Sequence, residues 1–261
     1  MKPRRIAVCL YGQWRTADYC LPWIAKQYEF ADVSYFVHTK TYSTYTNTDV
    51  GYEDYSARSI ENSVTKYLKG VRSLEVICRQ DEKFVPKEGH WHYAPMFGSM
   101  QRAAYAFFDT PDYESFDWVV LQRLDSLVGP VVGSFGQKFS LHPTTDTLYV
   151  MDRNMRFALE ANQRGLHDLL IVGKPHVVNL LVAETFQATA NPKHTDWQRF
   201  AFEGPNVFLR KCANACGHRV EDLAGLEIAL VRPDADLDRF PVFDSFEHHK
   251  SFWIKNHKGM K

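Results

Sequence analysis

The sequence predicts an α/β fold: a mixed, mostly parallel sheet with flanking helices, in a single domain over residues 1–261. Three observations carry this expectation. Short apolar runs recur along the chain. They are continuous more than alternating, as suits strands covered on both faces. Stretches with helical periodicity lie between them, and no internal repeat, low-complexity tract or clear linker divides the chain.

In chain order the candidate strands are 5–11 (RIAVCLY), 33–38 (VSYFVH), 74–78 (LEVIC), 117–121 (DWVVL), 147–151 (TLYVM), 169–172 (LLIV) and 227–231 (EIALV). Between the second and third, Ser59 precedes Ile60, Val64, Tyr67 and Leu68, a helical stripe with Ser59 placed as its N-cap. A second stripe, Phe97, Met100, Ala104, Phe107 and Phe108, leads toward the strand at 117. Pro175 and Pro205 sit where a first helical turn tolerates proline, and Gly217 after Cys216 reads as a helix stop. Two segments, 39–54 and 80–95, are polar, carry Tyr, Trp and His, and show no period. Long loops of this kind in a compact domain are more often binding elements than filler.

Composition narrows the function classes. Thirty-one basic residues balance thirty-one acidic ones, so no field arises that would draw nucleic acid, and none is expected as a partner. The apolar part of the N-terminal segment ends at Tyr11, too short for a signal-peptide core, and no stretch approaches the ~18 apolar residues of a membrane span. A cytoplasmic location is expected. Five cysteines without metal-ribbon or CxxC spacing point to reduced, mostly buried thiols. Thirteen Tyr and six Trp are the compositional excess; rings with a polar handle suit flat or sugar-like ligands, and Trp14, Tyr42, Tyr45 and Trp91 are the candidates.

Ligands of open α/β sheets bind beyond the carboxyl ends of strands, which directs attention to the residues just after each run. The first strand ends in Tyr11-Gly12-Gln13-Trp14-Arg15, where Gly12 permits close backbone approach and Arg15 can meet an anion. This is neither GxGxxG nor a Walker loop. The second strand ends in His38-Thr39. The strand at 117 continues as Gln122-Arg123-Leu124-Asp125, and two-residue alternation puts Arg123 and Asp125 on one side with Leu124 opposite. A carboxylate there suits a hard divalent cation bridging a diphosphate; the neighbouring arginine can neutralise the same phosphates without metal. A structural Arg–Asp pair closing the turn is the plainer alternative.

Together, the Gly-Gln-x-Arg after the first strand, the strand end at His38, the helix at 96–108 and the Arg123-Leu124-Asp125 end resemble nucleotide-sugar glycosyltransferases of the GT-A fold. The likeness is to the small bacterial and viral enzymes of surface-polysaccharide synthesis. It implies a nucleotide-sugar-binding half to about residue 130, an acceptor-side half from 131, a nucleoside diphosphate sugar donor and a glycan or carrier acceptor. The implied donor and diphosphate contacts are Gly12, Gln13, Arg15, Thr39, Arg123 and Asp125. The implied cofactor is Mn²⁺ or Mg²⁺ on Asp125, although Arg123 stands where the family's first metal-binding acid would be. Gly165-Leu166-His167-Asp168 resembles the family's acceptor-side Gly-x-x-Asp, which makes Asp168 the candidate general base and Glu203 the second. A C-terminal histidine (His248, His249 or His257) could complete a metal site with Asp125, as one does in some related transferases. Two other classes stand beside this one. A binding protein of the same fold would lack turnover, and a metal-dependent hydrolase would use His90, His92 and an aspartate.

Overall fold

The computed structural model describes residues 4–14, 16–42, 55–78, 94–129, 146–150, 169–190, 205–222 and 227–230. The main sheet has seven strands: β1 (Arg5–Gln13), β2 (Asp32–Lys40), β3 (Val71–Ile77), β4 (Trp118–Arg123), β6 (Thr147–Val150), β7 (Leu170–Gly173) and β8 (Arg219–Asp222). Their spatial order is β3-β2-β1-β4-β7-β6-β8. β1 pairs in parallel with β2 and β4, and β2 with β3. β7 runs antiparallel to β4 and β6, and β8 is parallel to β6. The sheet is therefore mixed and mostly parallel, as expected. A separate two-stranded ribbon joins β5 (Ser126–Gly129) to β9 (Glu227–Leu230), so the apolar run at 227 lies outside the main sheet.

Alternation along β1 divides the core. Ile6, Val8 and Leu10 join a cluster with Leu21, Trp23, Ile24, Ile60 and Val64 from α1 (Ala17–Gln27) and α2 (Ala57–Tyr67). Ala7, Cys9 and Tyr11 face a second cluster with Phe97, Phe107, Val178, Leu181 and Phe208 from α3 (Ala94–Phe108), α4 (Pro175–Ala190) and α5 (Pro205–Ala215). Coverage on both faces explains why the strands read as unbroken apolar runs. Tyr11, Phe36, Trp118, Phe107 and Phe208 are buried in these layers, so much of the aromatic excess is core.

The structure corrects five local expectations. The N-cap of α2 is Ser56, whose hydroxyl accepts from the Ser59 N–H at 3.1 Å; Ser59 is the third residue of the first turn. α3 does not lead straight into β4, because a short 3₁₀ turn at Tyr113–Ser115 intervenes. It also starts at Ala94, inside the segment read as loop. Trp14 is no stacking platform: it is buried among α1 and the sheet, and its indole N–H donates to Asp18 Oδ2 at 3.2 Å. Tyr42 is buried as well. The expected stop at Gly217 holds. With φ of 72° it carries a pair of bonds, from its own N–H to Asn214 O and from His218 N–H to Ala213 O, that close a helix in a Schellman turn.

Candidate functional site

The chain leaves β1 in one direction to build β2 and β3, then crosses to the other side of β1 to add β4. The switch point of the sheet therefore falls between β1 and β4, where open α/β sheets form their ligand crevice. Gly12 and Gln13 end β1, Thr39 lies opposite Gly12 in the β1–β2 register, and Arg123 lies opposite Tyr11 in the β1–β4 register. Four of the sequence-predicted donor residues thus share one edge of three adjacent strands.

Asp125 joins them through Arg123. The main-chain N–H of Leu124 still donates to Tyr11 O at 2.9 Å, and Ser126 Oγ donates to Arg123 O at 2.8 Å, which turns the chain out of the sheet toward β5. Within that turn Arg123 forks onto the carboxylate, Nε to Oδ1 at 2.9 Å and Nη2 to Oδ2 at 2.7 Å. The Asp125 side chain is 2% exposed and that of Arg123 14%. The third guanidinium nitrogen, Nη1, lies 3.7 Å from Met96 Sδ on α3. A bidentate pair in this setting is strong and directional. Leu169, which follows Asp168 in the chain, is anchored to the same place, its carbonyl accepting from Arg123 N–H at 3.1 Å.

Divalent-cation ligation at Asp125 meets a specific difficulty. Both carboxylate oxygens already accept from Arg123, and the described residues contain no group of three metal-ligating side chains. A cation there would share the carboxylate with the guanidinium, against its positive charge, and draw its other ligands from outside the described residues. The described donor set does not fit one.

One residue that the sequence reading did not single out, Ser99, joins this edge. Ser99, buried on α3, accepts from Gly12 N–H at 3.0 Å and sits 2.6 Å from His38 Nδ1. Thr39 donates its hydroxyl to Gly12 O at 2.9 Å, so it shapes the glycine turn from the other side. Gly12 has φ of 119°, a conformation for which glycine is needed. Burial, reinforced by the positive Arg102 and Lys40, pushes the His38 imidazole down to about 3. It is neutral at physiological pH, so the 3.7 Å approach of Glu75 Oε2 to its Nε2 is no ion pair. Glu75 instead pairs with Arg102 at 2.6 Å. Along α3, Met96, Ser99 and Arg102 form an i, i+3 row touching β4, then β1 and β2, then β3. The α3 stripe read from sequence was the neighbouring apolar row, whose residues face the core.

Arg15, Asp168 and Glu203 lie outside the described residues, as do Tyr45, Trp91, His90, His92, His248, His249 and His257. Among the described residues no helix is long and apolar enough to cross a membrane.

The molecule defined by this fold is an α/β protein whose mixed sheet has its topological switch point between β1 and β4. No protein-family model matches the chain, and no curated protein sequence matches it. Among solved structures it is similar to an active-site mutant of LgtC, at 9% identity and a TM-score of 0.48 over 95% of each chain. It is also similar to galactosyltransferase LgtC in complex with donor and acceptor sugar analogs, at 9% identity and a TM-score of 0.44 over 95% of each chain. A third similarity is to the apo form of the glycosyltransferase GlyE of Streptococcus pneumoniae TIGR4, at 10% identity and a TM-score of 0.41, over 85% of this chain and 45% of that one. At such identities no residue's role passes from those proteins to this chain.

Proposed function

We propose that the protein is a glycosyltransferase that moves a sugar from a nucleoside diphosphate sugar to a hydroxyl on a glycan or carrier acceptor. The observation that carries the reading is the placement of the Gly12–Gln13 turn and Arg123 on either side of the sheet's switch point. Of the strand-end residues that resemble this enzyme class in sequence, the described ones Gly12, Gln13 and Arg123 support this reading by lying on that edge.

In the reaction the acceptor hydroxyl oxygen attacks the sugar C1 and gives its proton to a general base. The bond from C1 to the diphosphate oxygen breaks, and the nucleoside diphosphate leaves with the electron pair. Asp168 is the proposed base, next in sequence to Leu169, whose carbonyl is tied to Arg123. Glu203 is the second candidate. Arg123 is the proposed counter-charge for the leaving diphosphate, with Arg15 joining it from beyond the glycine turn. Asp125 holds the Arg123 guanidinium in a fixed plane, which removes the reorganisation that a flexible cation would need.

The test is release of nucleoside diphosphate from a panel of donor sugars, with Mn²⁺ and with EDTA. Turnover lost in Asp168→Asn and reduced in Arg123→Lys supports the assignment. No turnover with any donor, together with no thermal shift by any nucleoside diphosphate, overturns it. Turnover that collapses in EDTA and returns with Mn²⁺ would move the counter-charge from Arg123 to a cation on Asp125.

One observation favours a second reading. Arg123 and Asp125 satisfy each other, an arrangement that also serves a nucleotide- or carbohydrate-binding protein without chemistry. Binding without turnover, unchanged in Asp168→Asn, would establish it.

A further inference from the structure

Gly12, near the end of β1, has a positive φ, and both of its backbone groups are held by side chains, its N–H by Ser99 and its C=O by Thr39. Ser99 Oγ can hold the glycine N–H only with a lone pair, so its single proton must go elsewhere. The two acceptors within reach are His38 Nδ1 at 2.6 Å and, at 3.3 Å, His38 O. The Glu75 carboxylate near Nε2 favours the tautomer with its proton on Nε2. That leaves Nδ1 as the acceptor and aims the Ser99 hydroxyl along the shorter line. Nε2 itself is buried and has no hydrogen-bond partner among the described residues.

We propose that Ser99, oriented by the His38 imidazole, is a positioning residue that holds Gly12 in the backbone conformation that receives the ligand's phosphates. The inference rests on the donor site proposed above. The chain of contact runs from His38 through Ser99 Oγ to the Gly12 N–H, three groups on β2, α3 and β1. Ser99 therefore acts on affinity through the shape of the turn, not through charge. Without the hydroxyl, the glycine N–H loses its acceptor, and a residue free to visit many conformations loses what confines it.

The experiment compares wild type, Ser99→Ala, Ser99→Thr and a distant cavity variant, Leu181→Ala. Calorimetry with adenosine, cytidine, guanosine, thymidine and uridine diphosphates measures affinity. Exchange of the Gly12 amide proton, followed by NMR, measures the clamp. For a diphosphate that binds wild type, Ser99→Ala is expected to raise Kd about tenfold, and Ser99→Thr to restore most of the loss. Leu181→Ala lowers Tm with Kd unchanged. Gly12 exchange rises at least about tenfold in Ser99→Ala alone. A Ser99→Ala Kd within twofold of wild type, or Gly12 exchange unchanged, overturns the proposal. If none of the five diphosphates binds wild type, the nucleotide reading falls and the exchange result alone decides the clamp.

Discussion

Arg123 closes both of its inner nitrogens on Asp125, at 2.9 and 2.7 Å, in a pair almost removed from solvent at the end of β4. Breaking such a pair costs more than its formation gains, because one charge is left buried and uncompensated. Asp125→Ala is therefore expected to lower unfolding free energy by about 3–5 kcal/mol. The double variant Arg123→Met with Asp125→Leu should recover most of that stability while losing nucleoside diphosphate binding. Urea unfolding and calorimetry on the three proteins separate the two effects. If the double variant still binds, Arg123 is not the counter-charge.

The five cysteines divide by environment. Cys9, Cys20 and Cys212 are buried, and burial holds each thiol well above its ordinary range. Cys78 and Cys216 are half-buried. The Cys216 thiol is also raised by partial burial and donates to Leu180 O at 3.5 Å. Because the thiolate is the reactive species, Ellman's reagent should label Cys78 first, Cys216 more slowly, and the other three only on unfolding. Rapid labelling of a third thiol in the native protein would show that a buried thiol opens to solvent.

Legibility followed burial. Strands covered on both faces could be read because residues pointing to either side are mostly apolar, as in the 6–11 stretch. β8 escaped notice because Arg219–Asp222 carries charge at three of its four residues. β5 was hidden because Ser126–Gly129 follows β4 after only Leu124 and Asp125, with no glycine or proline between the two strands. α1 contains Pro22, which argues against a helix interior even though its neighbours Leu21, Trp23 and Ile24 are buried. At the site, alternation was extended to Asp125, but β4 ends at Arg123 and the two side chains meet across the turn that follows. Whether they would face a ligand or each other depends on side-chain torsions that spacing does not encode. The Ser99–His38 contact joins residues 61 positions apart and arises from how α3 crosses the strand ends, which no local pattern records.

His38 makes stability depend on pH. In the unfolded chain the imidazole takes a proton near pH 6.5, whereas in the fold burial keeps it neutral down to about 3. Its folded value is depressed, so protons favour the unfolded state throughout the interval. Stability is at its full value above about pH 6.5 and declines as pH falls toward 3, at up to ~1.4 kcal/mol per unit. Between pH 7 and pH 5 the wild type should lose about 2 kcal/mol more than His38→Asn, measured by urea unfolding. Equal losses would mean that the folded protein accepts the charge, and hence that the Ser99 contact survives protonation.

Gly12 and Gly70 both adopt positive φ, 119° and 81°, yet only one is crowded. A Cβ at Gly70 would stand 2.5 Å from Val33 O, main chain that cannot move aside because Gly70 O accepts from Tyr35 N–H to start the β2–β3 pairing. A Cβ at Gly12 meets nothing within 4 Å, so alanine there bears only the backbone strain, about 1–3 kcal/mol. Gly70→Ala should accordingly destabilise more than Gly12→Ala in urea titrations while leaving the switch-point residues untouched. Gly12→Ala should fold, because its Cβ enters open space, and should lose nucleoside diphosphate affinity for the same reason: that space lies over the turn where the ligand's phosphates are proposed to approach. Calorimetry reads the difference, and a Gly12→Ala protein that binds like wild type would place the phosphates elsewhere along the edge.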